Sequence, residues 1–301
     1  MGVESVPSLS AKSSISSPFT VSYDGRFSVA DSPTGPGKGV PGKKELEKQL
    51  ASTVDNISEL QRKLYADDRF SLLLVFQAMD AAGKDGTIRA VMSGVNPAGC
   101  QVSSFKSPSD EELEHDWLWR TSKRLPERGR IGIFNRSYYE EVLAVRVHPE
   151  FLDNQRLPQK DHGGLWQERF ESIRDHEKHL SRNGTVILKF WLNVSKEEQK
   201  NRFLKRLTTP EKYWKFSKSD LVTRDRWDEY MQAYESMLNE TSTADAPWFA
   251  IPADDKRYMR VCVAEIIQQT LEALPLRYPE KSPGEVALFE DYIARLESET
   301  E

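Results

Sequence analysis

From Phe70 to Ala78 the chain reads FSLLLVFQA, a continuous apolar run that breaks at once into MDAAGKDG and then TIRAV. Such a run suits a central strand buried on both faces. The break resembles the phosphate-loop pattern G-x-x-x-x-G-K-[ST], in which glycines let backbone amides approach an anion where a helix begins. Two positions depart from it. Ala78 stands at the first glycine, and Asp85 follows Lys84 where a hydroxyl would reach a metal ion.

The rest of the chain alternates in the same way. Further strands are expected at 100–106, 130–136, 185–194 and 247–253. A polar helix is expected from Glu45 to about Ala66, and TIRAVMSGV reads as the helix after the loop. Ser109 and Glu112 form a capping box opening a helical pattern through Leu113, Trp117 and Leu125. Ser195 and Glu198 form a second, at the head of a basic helix. YYEEVLAVRV reads as a short helix, and LWQERFESIRDHEKHLSRNG as a helix stopped by Gly184. Helices around Trp227–Leu238 and about 255–274 complete the series. This alternation predicts an α/β fold, a parallel sheet with helices on both faces. Ligands bind such sheets beyond the carboxyl ends of the strands. Ala78, Asn135, Ser195 and Ala253, each just past a strand, should therefore converge on one edge.

Residues 1 to about 44 are rich in Ser, Gly and Pro and predict a mobile or extended arm; 45–275 form the folded domain and 276–301 a tail. Cys100 and Cys262 are too few and too far apart in sequence for a disulfide framework or a cysteine metal site. No apolar run approaches a bilayer span, and the N-terminus lacks the basic start and apolar block of a secretory signal. A cytoplasmic protein without a membrane partner is expected. The net charge of −5 argues against a general nucleic-acid binder. One segment disagrees: Lys196 to Arg226 holds ten Lys/Arg against five Asp/Glu. A basic island on an acidic chain suits one defined anionic ligand or, equally, a solvated helix face with ion pairs. The histidines, at 115, 148, 162, 176 and 179, lack partners at metal or nucleophile spacing. His115, His176 and His179 are expected on helix surfaces; His148 and His162 lie in a loop and receive no role.

Within the loop, the segment Ala82, Gly83, Lys84, Asp85, Gly86 is the candidate phosphate cradle, with Thr87 either capping the helix or touching phosphate. Asp80 would repel phosphate unless a cation bridges the two. Magnesium takes one or two carboxylates together with substrate phosphates and water, so Asp80 is the candidate metal ligand in place of the missing hydroxyl. Past the third strand, Arg136 is placed to clamp phosphate with its guanidinium fork, or else to pair structurally with Glu140. Asn135 could hold a metal-bound water or orient Asp80, and Glu140 could accept from a ribose hydroxyl or assist the metal. Tyr138 and Tyr139 read as packing residues. ADDKRY, 253–258, reads first as a helix cap and second as a base or ribose contact.

With these pieces assembled, the chain resembles the polyphosphate kinase 2 family over about residues 45–275. The carriers are AMDAAGKDGTI, SGVNPAG, HDWLWR, IGIFNRSYYEEVL, SKEEQKNRFLKRLTTPEKYWKFSKSD and RWDEYMQAYESML. The resemblance implies a thymidylate-kinase-like P-loop fold with a mobile helical lid at about 200–226. It also implies magnesium-dependent phosphoryl transfer between inorganic polyphosphate and a nucleotide, in dimers or tetramers. By position, Asp80 and Lys84 match the Walker A aspartate and lysine, and Arg136 the Walker B arginine. Arg202 and Arg206 match basic lid residues that contact the phosphate chain; Arg202 is expected to be catalytic, and Lys215 is a further lid cation for phosphate. Many members read FDRSWYNR where this chain has FNRSYYEE, so Asn135 replaces a Walker B aspartate. That version is similar to the subgroup that phosphorylates nucleoside monophosphates as well as diphosphates. Two other readings stay open: a nucleoside or nucleotide kinase using ATP as donor, and a non-catalytic module binding nucleotide or polyphosphate.

Overall fold

β1 (Ser71–Gln77) is buried at all seven positions, with a strand on each edge and both of its faces covered. The computed structural model describes residues 17–158 and 163–299 of the 301. With β2 (Cys100–Ser104), β3 (Ile131–Asn135), β4 (Thr185–Asn193) and β5 (Trp248–Pro252), β1 forms a five-stranded sheet in the order β2-β3-β1-β4-β5. Every neighbouring pair of strands is parallel. The strands lie within the predicted ranges, ending at most two residues short of either bound.

Helices α1 (Lys43–Asp67), α2 (Lys84–Val91), α3 (Asp110–Leu113), α4 (Trp119–Ser122) and α5 (Ala144–Val147) belong to the first half of the chain. α6 (Leu165–Arg182), α7 (Lys196–Leu207), α8 (Lys218–Asp225), α9 (Trp227–Thr241) and α10 (Lys256–Ala273) follow, then α11 (Pro283–Ala287) and α12 (Phe289–Glu297) in the exposed tail. α1 packs on α10, which also touches α2, β4 and β5; α6 packs on β4 and α9. Among the described residues no helix is long and apolar enough to cross a membrane.

Three local expectations are corrected. The pattern through Leu113, Trp117 and Leu125 is not one helix. The Ser109–Glu112 box forms in both directions, but Asp116 accepts from the Leu118 amide at 2.9 Å, and this side-chain turn divides α3 from α4. YYEEVLAVRV splits into a 3-10 turn, Tyr138–Val142, and α5. The Ser195–Glu198 box is only half made. Ser195 Oγ accepts from the Glu198 amide, but the Glu198 carboxylate turns to Arg202 and the Ser195 amide donates to Asp254. Gly184 ends α6 as expected, at φ +92°.

The expected N-terminal arm divides as well. Residues 1–16 lie outside the described residues. After a turn at residues 17–20 the chain makes one antiparallel bridge, Thr20 to Phe249, on the outer side of β5, with Val21 N–H donating to Trp248 O and Ala250 N–H to Phe19 O, so the middle of this sheet edge is covered. Farther on, Asn193 Nδ2 donates to the carbonyls of Ser32 and Pro33.

Lys189 of β4 is fully buried, which its sequence neighbours did not foretell. Its ammonium donates to Glu177 at 2.7 Å, to the Thr241 carbonyl at 2.7 Å and to the Tyr139 hydroxyl at 2.8 Å. Both Tyr138 and Tyr139 hydroxyls donate to the other Glu177 oxygen. Burial pulls the Lys189 pKa down to about 8, against the pull of Glu177. The two tyrosines are packing residues, as read, yet they also satisfy a buried ion pair. His176, expected at the surface, is half-buried edge-on against Tyr138.

Candidate functional site

After β1 the chain turns toward β2, and after β3 it crosses to β4, so the crevice between the ends of β1 and β3 is the switch point of the sheet. The loop from Met79 to Gly83 leaves β1 there, and Asn135 and Arg136 leave β3 beside it. The first-turn amides of α2 have no intrahelical acceptor and open onto this crevice. Gly83 sits at φ +113°, and a Cβ there would lie 3.2 Å from Met259 Cε, so both conformation and space favour glycine. Ala78, in the place of the missing first glycine, gives its carbonyl to Lys84 Nζ at 2.6 Å. The Lys84 pKa is drawn below the ordinary lysine value by burial first and by Arg136 second.

Asp80 and Arg136 meet across the crevice at 2.9 Å, with side chains 21% and 42% exposed. The Arg136 guanidinium is held protonated, above its ordinary value, by Glu140 foremost and then by Asp80. Its backbone is left-handed, φ +64°, and its amide donates to Phe76 O, so a strained strand end aims the side chain back over β1. Asp85, in the place of the hydroxyl, accepts from Asn135 Nδ2 at 2.5 Å and ties the first turn of α2 to β3. Asn135 thus orients Asp85, not Asp80. Glu140 stays close to Arg136 without lining the cleft.

Loop and lid share one cavity of about 700 Å³. Eleven Lys or Arg and only three Asp line it. Lys205, Arg206, Lys212 and Lys215 come from the lid, formed by α7, the 3-10 turn Pro210–Lys215 and α8. Arg206 is fastened within the lid, to Asp220 at 3.1 Å and to the Lys215 carbonyl at 3.2 Å. Lys256 and Arg260 of α10, Arg89 of α2 and Lys106 after β2 complete the ring. These four went unassigned in the sequence because they lie on three separate elements, each unremarkable alone. Asp255 caps α10, the first reading of ADDKRY, while its neighbour Lys256 borders the cleft.

Two candidate residues are placed otherwise than expected. Thr87 is fully buried, its hydroxyl facing Met259 S at 3.8 Å, so it neither caps α2 nor opens onto the cleft. Arg202 is 7% exposed, and its donors are taken by Glu198 and by the carbonyls of Ala81, Ala82, Ala253 and Asp254. The Ala82 amide is also committed, to Met79 O at 3.3 Å. Of the two loop histidines, His148 pairs with Glu150 at 3.1 Å and does not line the cleft, and His162 lies outside the described residues.

A parallel sheet in this order, with a glycine–lysine loop at its switch point and a basic lid over it, defines a P-loop phosphotransferase of the kinase type. The polyphosphate kinase 2 family model matches residues 41–279, and the chain belongs to that family. It is 52% identical over 268 residues to the ADP-polyphosphate phosphotransferase of Rhodopseudomonas palustris, covering 88% of this chain and 93% of that one. It is 44% identical to the AMP/ADP-polyphosphate phosphotransferase of Meiothermus ruber, covering 87% and 95%. The crystal structure of polyphosphate kinase 2 from Arthrobacter aurescens superposes with a TM-score of 0.82 at 38% identity, over 91% of this chain and 95% of that one.

Proposed function

We propose that this protein transfers phosphoryl groups between inorganic polyphosphate and nucleoside mono- or diphosphates. The observation that carries the reading is the cavity itself: a net-acidic chain gathers ten cations around one phosphate loop, besides the buried Arg202. They come from the phosphate loop, from Arg136, from α2 and α10, from the segment after β2 and from the lid. A nucleoside triphosphate donor needs fewer positive contacts than a phosphate polymer does, so the ring favours polyphosphate over ATP. A binding module would have little need of the Asp80–Arg136 pair at the reacting end.

Magnesium fits the donor set. Among the described residues no three His, Cys, Asp or Glu side chains gather into a protein cage. Asp80 offers a partly exposed carboxylate in a cleft built for phosphates, the mixed coordination magnesium favours. Held there, the ion would neutralise charge on the transferred group. The chain's own contribution is alignment: Lys84 and the opening amides of α2 bind the phosphoryl group, and Arg136 screens its equatorial oxygens. A terminal phosphate oxygen of the nucleotide attacks phosphorus, the bond to the rest of the polymer breaks, and no protein nucleophile takes part. Asn135 and Glu140, in the FNRSYYEE version, support acceptance of both mono- and diphosphates.

The test supplies AMP or ADP with polyphosphate and Mg²⁺, without nucleoside triphosphate, and separates the products by chromatography. ADP from AMP and ATP from ADP are expected. Product formed only when ATP is added would replace this reading with the ATP-dependent kinase.

A further inference from the structure

The buried face of α7 grips the phosphate loop by its carbonyls. Arg202 Nη1 donates to Ala81 O at 3.0 Å and Ala82 O at 2.6 Å, and Gln199 Nε2 donates to Asp80 O at 3.0 Å. Three successive peptides of the loop are therefore drawn toward one helix. In a trans peptide the N–H points opposite to the C=O, so fixing these carbonyls fixes where the amides of Ala81, Ala82 and Gly83 point. The Ala82 amide is turned back to Met79 O, while those of Ala81 and Gly83 are directed away from α7. Ala81 at φ +63° and Gly83 at φ +113° are both left-handed, a conformation that alanine does not keep without outside support. Arg202 Nη2 anchors the grip to the Ala253 and Asp254 carbonyls beyond β5, at 2.7 and 2.9 Å. Gln199 is fully buried, and its Oε1 accepts from Arg224 of α8 at 2.8 Å, so the lid bears on the same strut.

We propose that Gln199 and Arg202 are positioning residues: they set the peptide orientations of the phosphate loop, with Arg224 registering the lid against it, and Arg202 does not bind the phosphate chain. This rests on the reading that the cleft takes that chain. It makes a distinctive demand, because Gln199 carries no charge and yet must matter in the same way as Arg202.

The test compares wild type, Gln199→Leu, Arg202→Lys and the double variant. Turnover is measured with a short and a long polyphosphate at low and high salt, and amide hydrogen exchange is followed by mass spectrometry. Each single variant should lower kcat about tenfold or more, while KM for polyphosphate stays within about twofold at both lengths and both salts. The double variant should be little worse than the worse single, since both residues hold one element. Exchange should speed up in peptides spanning 78–88, and otherwise only in those holding the two residues' other partners, 253–254 and Arg224. Should Arg202→Lys fail to fold, Gln199→Leu carries the test alone. The proposal is overturned if Gln199→Leu is silent in both kcat and loop exchange, or if Arg202→Lys chiefly raises KM, and more for the longer chain. Wild type without polyphosphate-dependent turnover would instead sink the functional reading, and the exchange comparison would still judge the clamp.

Discussion

Arg136 donates to the Asp80 carboxylate at 2.9 Å, joining the ends of β3 and β1 over the phosphate loop. Both partners are exposed enough for solvent to screen them, so the pair contributes at most about 1 kcal/mol to folding. Its worth lies in the reaction. Asp80→Ala and Lys84→Ala should each reduce kcat at least about 100-fold, the scale of removing a preorganised electrostatic contact. Circular dichroism and the unfolding midpoint should barely change. Near-normal turnover in either variant would remove these residues from the site.

Polyphosphate affinity should fall as salt rises. The cleft is a ring of charges open to solvent, and the Debye length shortens from about 10 Å at 0.1 M to about 3 Å at 1 M. KM for a long polyphosphate should climb more steeply with sodium chloride than KM for ADP, which meets fewer of these cations. Parallel slopes for the two substrates would mean that the outer cations do not hold the polymer.

Lys189→Met should destabilise the fold by about 3–5 kcal/mol, because it leaves the Glu177 carboxylate buried without its cation. The same change combined with Glu177→Gln should cost less. The sign of the pH effect follows from the lowered Lys189 pKa of about 8. A depressed lysine contributes stability that is present above its ordinary value and is lost as pH falls through about 8. The cost of Lys189→Met, read from denaturant midpoints, should therefore grow between neutral pH and about 9.5. A cost that shrinks over that range would contradict the assignment.

Much of this site was legible in one dimension. FSLLLVFQA was legible as a central strand, and GKDG beside it as a glycine–lysine turn opening a helix, because local backbone chemistry decides both. Helix stops and caps such as Gly184 and Asp255 were legible for the same reason. Arg202 was not. The family resemblance implied a phosphate contact for it, but helical phase turned it inward, where five carbonyl or carboxylate bonds occupy its donors. Thr87 was misplaced likewise, one helical turn into α2 and facing Met259.

The sequence alone determined the kind of fold and the phosphate loop, since apolar runs, glycines and caps act through neighbours a few residues apart. Only the tertiary structure decided which charges face the cleft. Arg89, Lys106, Lys256 and Arg260 become one surface, and Lys189 becomes a buried ion pair, through contacts between residues far apart in the chain. A cation's role depends on whether burial leaves its donors to the protein or to the ligand, and the packing of distant elements settles that.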